Sequence, residues 1–153
     1  MQMTQMINNL SVTGRWADLA AGCLAAVCAA TDLYGGRVYN VVTVPGICLG
    51  TCFAVLRAGP AGILEVLCAA GFTILVLFPF YTAGGLGAGD IKLLAAVSAF
   101  MPAETYLRCF AGAFVLGAAA GILQLARSRG AVHTMHFALP VAASVFLHLA
   151  GLY

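Results

Sequence analysis

Apolar runs separated by short polar breaks set the pattern of the chain. Residues 15–31, 41–56, 61–81, 91–101, 106–126 and 137–153 are dominated by Ala, Leu, Val, Ile, Phe and Gly. None alternates apolar and polar positions as a half-buried strand does, so each reads as a helix. Most approach the roughly 20 residues that a helix needs to cross a bilayer. The fourth reaches that length only by drawing in Asp90 and part of the loop before it. The breaks carry Gly, Pro, Asp and Arg, which end helices and form turns. Ahead of the first run, residues 1–14 are polar and uncharged, which predicts a short mobile tail rather than the basic start of a cleaved signal. The pattern predicts an all-α, polytopic membrane protein of about six transmembrane helices, forming one domain over residues 1–153.

Composition agrees. Of the 153 residues, 63% are hydrophobic and 8% are charged, far from the balance of a soluble domain. The net charge of +2 is small and the basic residues are scattered, which excludes a nucleic-acid partner. The partner the surface calls for is the lipid bilayer. Six cysteines, Cys23, Cys28, Cys48, Cys52, Cys68 and Cys109, all lie inside apolar runs with no C-x-x-C pair. They are expected to act as small hydrophobes buried in packing, without disulfide or zinc chemistry.

Against this background each acid is conspicuous, because a carboxyl inside a membrane costs free energy unless it is used or paired. Asp90 stands between Gly84, Gly85, Gly87 and Gly89 and the apolar run LLAAVSAF, where a flexible loop enters a helix. Asp32 stands where the first helix runs into a two-glycine turn and then Arg37 and Asn40. Asp18 and Glu65 fall in first turns of expected spans, where a carboxylate at the membrane surface complements the helix dipole. Two spans separate Asp32 from Asp90, so both return to one face. The loops on that face hold Arg37, Arg127 and Arg129, with Lys92 just inside the fourth span, against Arg15, Arg57 and Arg108 opposite. The positive-inside rule makes the Asp face cytoplasmic.

The string Gly84-Gly-Leu-Gly-Ala-Gly-Asp90-Ile-Lys92-Leu resembles the GGxGxGDxKL signature of the type IV prepilin peptidases, aspartic proteases of the GxGD kind. Asp32 followed by Val38-Tyr39-Asn40 is similar to the family's second acid and its loop, with Tyr39 where the family has proline. His136-Phe-Ala-Leu-Pro140 is similar to its late motif opening the last helix. The resemblance covers about residues 15–153, and with no soluble insertion between the first spans it is closest to the small, peptidase-only form of Flp-type pili and tight-adherence secretion systems. It implies Asp32 and Asp90 as catalytic residues, with Gly84, Gly85, Gly87, Gly89, Lys92 and Asn40 in support. It also implies prepilin or pseudopilin precursors as substrates, cut at the cytoplasmic face of a bacterial inner membrane.

The residues permit that chemistry. Two carboxyls held together share one proton, so that one activates a water while the other protonates the carbonyl oxygen, with neither metal nor cofactor. The helix dipole favours negative charge on Asp90, at a helix start, and disfavours it on Asp32, at a helix end. Other systems are poorly provided: there is no G-x-S-x-G, and Ser98 and Ser144 read as packing residues. His133 and His136 have no carboxylate nearby in sequence, and His148 stands alone on the last helix. Lys92, two residues from Asp90, points to another side of the helix, towards lipid phosphate or a substrate leader. The alternative is a transport or assembly subunit using the acids as an ion path, although no inverted repeat accompanies them.

Overall fold

A computed structural model describes residues 2–127 and 137–152, with side chains from residue 12 onward except those of residues 125 and 127. The segment 128–136, which holds His133 and His136 and most of the third expected cytoplasmic loop, lies outside the described residues. The described chain is helical throughout: α1 Gln2–Gly35, α2 Asn40–Ala58, α3 Ala61–Thr82, α4 Ala88–Ser98, α5 Ala103–Arg127 and α6 Ala138–Leu149. Four stretches are long and apolar enough to cross a membrane: Val12–Gly35, Asn40–Ala58, Ala61–Thr82 and Ala103–Gln124. Large side chains such as Leu64, Leu67, Leu75 and Val41 point outward from them, as a lipid-facing surface requires. The protein is therefore an all-α polytopic membrane protein.

The structure departs from the sequence pattern at two ends and in the middle. The first helix starts at Gln2 instead of following a polar tail, which places Asp18 in mid-helix rather than in a first turn. There its Oδ2 lies 3.7 Å from Nε2 of His148 on α6, so this histidine does not stand alone. The fourth helix has 11 residues, a rise of about 16 Å against a hydrocarbon core of about 30 Å, too short by itself for a lipid-facing span. It is instead the centre of the bundle, touching each of the other five helices. Leu93, Leu94, Ala96, Val97 and Phe100 are buried around it, with Tyr106 and Leu77. Protein on every side removes the need for bilayer length, because its backbone never meets lipid.

The chain alternates direction, so helix ends gather at two levels. At one level Arg57 donates to Glu65 over 2.8 Å and to the carbonyl of Phe100 over 3.3 Å, while the Ala103 amide donates to the other Glu65 oxygen over 3.1 Å. Glu65 thus joins the α2–α3 turn to the start of α5, rather than merely facing the headgroups. The Thr73 and Tyr106 hydroxyls share a buried hydrogen bond between α3 and α5. Gly117 lies under the ring of Phe137, where a Cβ would come within 2.5 Å of it, so this small residue serves helix packing. All six cysteines are free thiols. Only Cys28 and Cys109 are buried; Cys23, Cys48, Cys52 and Cys68 lie on outer faces, which corrects the expectation of interior packing for these four. Polarizable thiols are tolerated there because the surrounding medium is itself apolar.

Candidate active site

Asp32 and Asp90 are the buried carboxylates among the described residues, at 8% and 7% exposure, and the other three acids are more open. Each is placed by a specific helix terminus. The first helix ends in a left-handed Gly36 with φ +60°, whose amide donates to the Asp32 carbonyl over 2.8 Å. That bond closes the last turn and leaves Asp32 in it, one turn before the chain reverses. A side chain at Gly36 would oppose the left-handed conformation, so the two-glycine turn is what lets α1 stop there.

The third helix ends in the same manner but with two bonds. Gly84, at φ +75°, donates to the Tyr81 carbonyl over 3.0 Å, and Gly85 donates to Phe80 over 2.9 Å, which completes a Schellman motif. The chain then turns inward through Leu86, which packs on the core. Gly87 is the N-cap of α4 and Asp90 its third residue; the Gly87 amide donates to Oδ2 of Asp90 over 3.1 Å. One carboxylate oxygen thereby satisfies an amide that the helix itself cannot, at the end where the dipole favours negative charge. A Cβ on Gly87 would stand 3.1 Å from that oxygen, so the carboxylate and the loop backbone meet without a side chain between them.

The two acid-bearing segments meet. A Cβ built on Gly89 would come 3.0 Å from Cβ of Val38 and 3.1 Å from its Cγ2, so the loop after Asp32 lies directly on the residue before Asp90. Beside this contact Lys92 donates from Nζ to Oδ1 of Asn40 over 3.1 Å. Lys92 thus has a partner within the chain that its place in the sequence does not indicate. The sequence marks Val38 only as part of the loop string Val38-Tyr39-Asn40, and nothing local marks a valine as the seat for a glycine 51 positions later.

Of the remaining candidates, Ser98 donates to the Ala95 carbonyl and Ser144 to that of Cys109, both inside the core. Among the described residues no group of three His, Cys, Asp or Glu side chains is arranged to hold a metal. An apolar cleft of about 390 Å³ opens beside the glycine loop, between Leu86, Phe114, Gly121 and Phe137.

The fold and site define a class: a multi-pass helical membrane protein with two buried carboxyls on neighbouring helix termini at one end of the bundle. Residues 19–122, which include both acids, match the type IV leader peptidase family, and the chain belongs to that family. It is 36% identical over 149 residues to the prepilin leader peptidase/N-methyltransferase of Burkholderia pseudomallei strain 1026b, and equally to that of strain K96243. Each match covers 88% of this chain and 45% of the relative, so the chain spans less than half the length of the curated relatives it matches. No solved structure matches it significantly.

Proposed function

We propose that this protein is a membrane-embedded aspartic endopeptidase that removes the leader from type IV prepilin or pseudopilin precursors of the Flp type. The hydrolysis takes place at the cytoplasmic face of a bacterial inner membrane and serves pilus assembly or protein secretion. Asp32 and Asp90 form the dyad, and the glycine loop shapes the backbone around them. The observation that carries this reading is the joining of two segments that each bear a buried acid, Val38 seated on Gly89, at one end of an otherwise apolar bundle.

In this reading the carboxylate of Asp90, already accepting an amide hydrogen bond at a helix start, takes a proton from water as the water attacks the scissile carbonyl. Asp32 donates its proton to the carbonyl oxygen. On collapse of the tetrahedral intermediate the proton gained by Asp90 passes to the leaving amine, and Asp32 recovers its own from the oxygen. The peptide bond is broken and the dyad returns to its starting state with one water consumed.

The test is cleavage of a prepilin-like precursor by purified, reconstituted protein. Asp32→Asn and Asp90→Asn are each expected to abolish cleavage while the protein still inserts and folds, since Asn keeps the volume and a hydrogen-bonding oxygen. Substantial cleavage by either purified variant would falsify the dyad. Loss of an ion flux across vesicles in both variants, with no precursor cleavage by the native protein, points to the transport alternative.

A further inference from the structure

Lys92 follows Asp90 by two residues on α4 and faces away from it, so its part in the site is indirect. Its bond to Asn40 spans 52 positions of sequence and joins the first residue of α2 to the fifth residue of α4. Asn40 ends the loop that leaves Asp32. The path from Asp32 through the Gly36 turn to Asn40, across the hydrogen bond to Lys92 and back to Asp90 is thus a single run of contacts linking the two acids. Beside it Gly89 rests on Val38, with space for hydrogen and none for a methyl group.

We propose that Lys92 and Asn40 are positioning residues whose hydrogen bond holds loop 36–40 against the start of α4 and so sets the separation of the two acids. The inference rests on the dyad reading above. The bond is exposed, so it contributes little to holding the bundle, which is secured by the burial of α4 on all sides. Its consequence is geometric. Two carboxyls that must share one water tolerate little error, and a displacement of about 1 Å is enough to lower a rate by about 100-fold. Gly89 against Val38 limits how closely the segments approach; Lys92 on Asn40 limits how far they part. A lysine directed at lipid phosphate or at a substrate leader has no need of Asn40.

The test uses the full chain reconstituted in liposomes with a prepilin-like precursor, reading kcat and KM separately. Lys92→Met and Asn40→Leu are each expected to lower kcat by about 10- to 100-fold with KM within about twofold, and the double variant to be no worse than either single one. Asn40→Asp and Lys92→Arg, which keep an acceptor and a donor, are expected to stay within about threefold of the native rate. Amide exchange of residues 36–40 and 87–90 is expected to quicken in Lys92→Met. A rise in KM with kcat unchanged, or effects that add in the double variant, overturns the proposal in favour of direct leader contact. Full activity in Asn40→Leu overturns it as well. Should Lys92→Met fail to fold, Asn40→Leu and Asn40→Asp decide alone, equal rates overturning the proposal. Cleavage by Asp32→Asn or Asp90→Asn sinks the dyad itself, whatever the Lys92 variants do.

Discussion

A glycine with no room around it is informative at the residue scale, because it shows which atoms the fold brings together. Gly89 is such a position: a methyl group there meets both Cβ and Cγ2 of Val38 at 3.0 to 3.1 Å and the Val38 amide nitrogen at 3.4 Å. The contact is with a branched carbon next to backbone, which cannot swing aside. Gly89→Ala is therefore expected to part the two acid-bearing segments by a few tenths of an ångström and to lower kcat by about tenfold or more, leaving KM near its native value. Steady-state cleavage kinetics read this directly, and a native rate in Gly89→Ala means that the Val38 contact does not govern the site. The two acids also dictate a pH dependence. In the proposed dyad one proton is shared and cleavage needs one carboxyl ionised and the other not, so the rate is expected to fall on both the acid and the alkaline side. A rate that rises to a plateau with pH indicates one titrating group instead of a pair.

At the element scale the site depends on how helices stop and start. The Gly36 turn ends α1 with a left-handed residue, and Gly36→Ala is expected to cost about 1 kcal/mol of stability, read as a lowered unfolding midpoint in detergent. It is also expected to slow cleavage, because the same turn carries Asp32. Glu65 offers the contrasting case. Its carboxylate joins Arg57 to the amide that opens α5, at the opposite end from Asp32 and Asp90. Glu65→Ala is expected to destabilise by roughly 1 to 3 kcal/mol, through an arginine and an amide left without their acceptor, while kcat at a temperature where the variant is folded stays native. Equal loss of kcat means that the two ends are coupled. The termini were the legible part of the sequence: glycine pairs, Asp90 at a helix start and the even number of spans between the acids all follow from local residue types. The short central α4 was harder to read. A mostly apolar helix of 11 residues looks like a truncated span until five neighbours are known to enclose it, and enclosure is a tertiary property. Val38 on Gly89, Lys92 on Asn40 and Asp18 near His148 were illegible for the same reason, each joining residues more than 50 positions apart.

At the scale of the whole molecule, the alternation of helix directions divides the polar groups between two surfaces. The turn at Gly36 and the glycine loop before Asp90 share one surface, and the Gly59 turn with its neighbours Arg57 and Glu65 occupies the other. The proposed orientation, with the Asp surface towards the cytoplasm, rests on the sequence count of basic residues by loop, an excess of one for that side. Reporter domains inserted at Gly36 and Gly59 are therefore expected to report opposite compartments, the Gly36 insertion on the cytoplasmic side. In the proposed function the same orientation determines where a precursor can be cut: a leader arrives from the Asp surface, where the two buried carboxyls stand at neighbouring helix ends. Inside-out membrane vesicles carrying the native protein are expected to process precursor added to the medium, whereas sealed right-side-out vesicles leave it intact until detergent opens them. Processing by sealed right-side-out vesicles reverses the orientation and, with it, the assignment of the cytoplasmic face. Both insertions reporting one compartment rules out the even span count that brings Asp32 and Asp90 together.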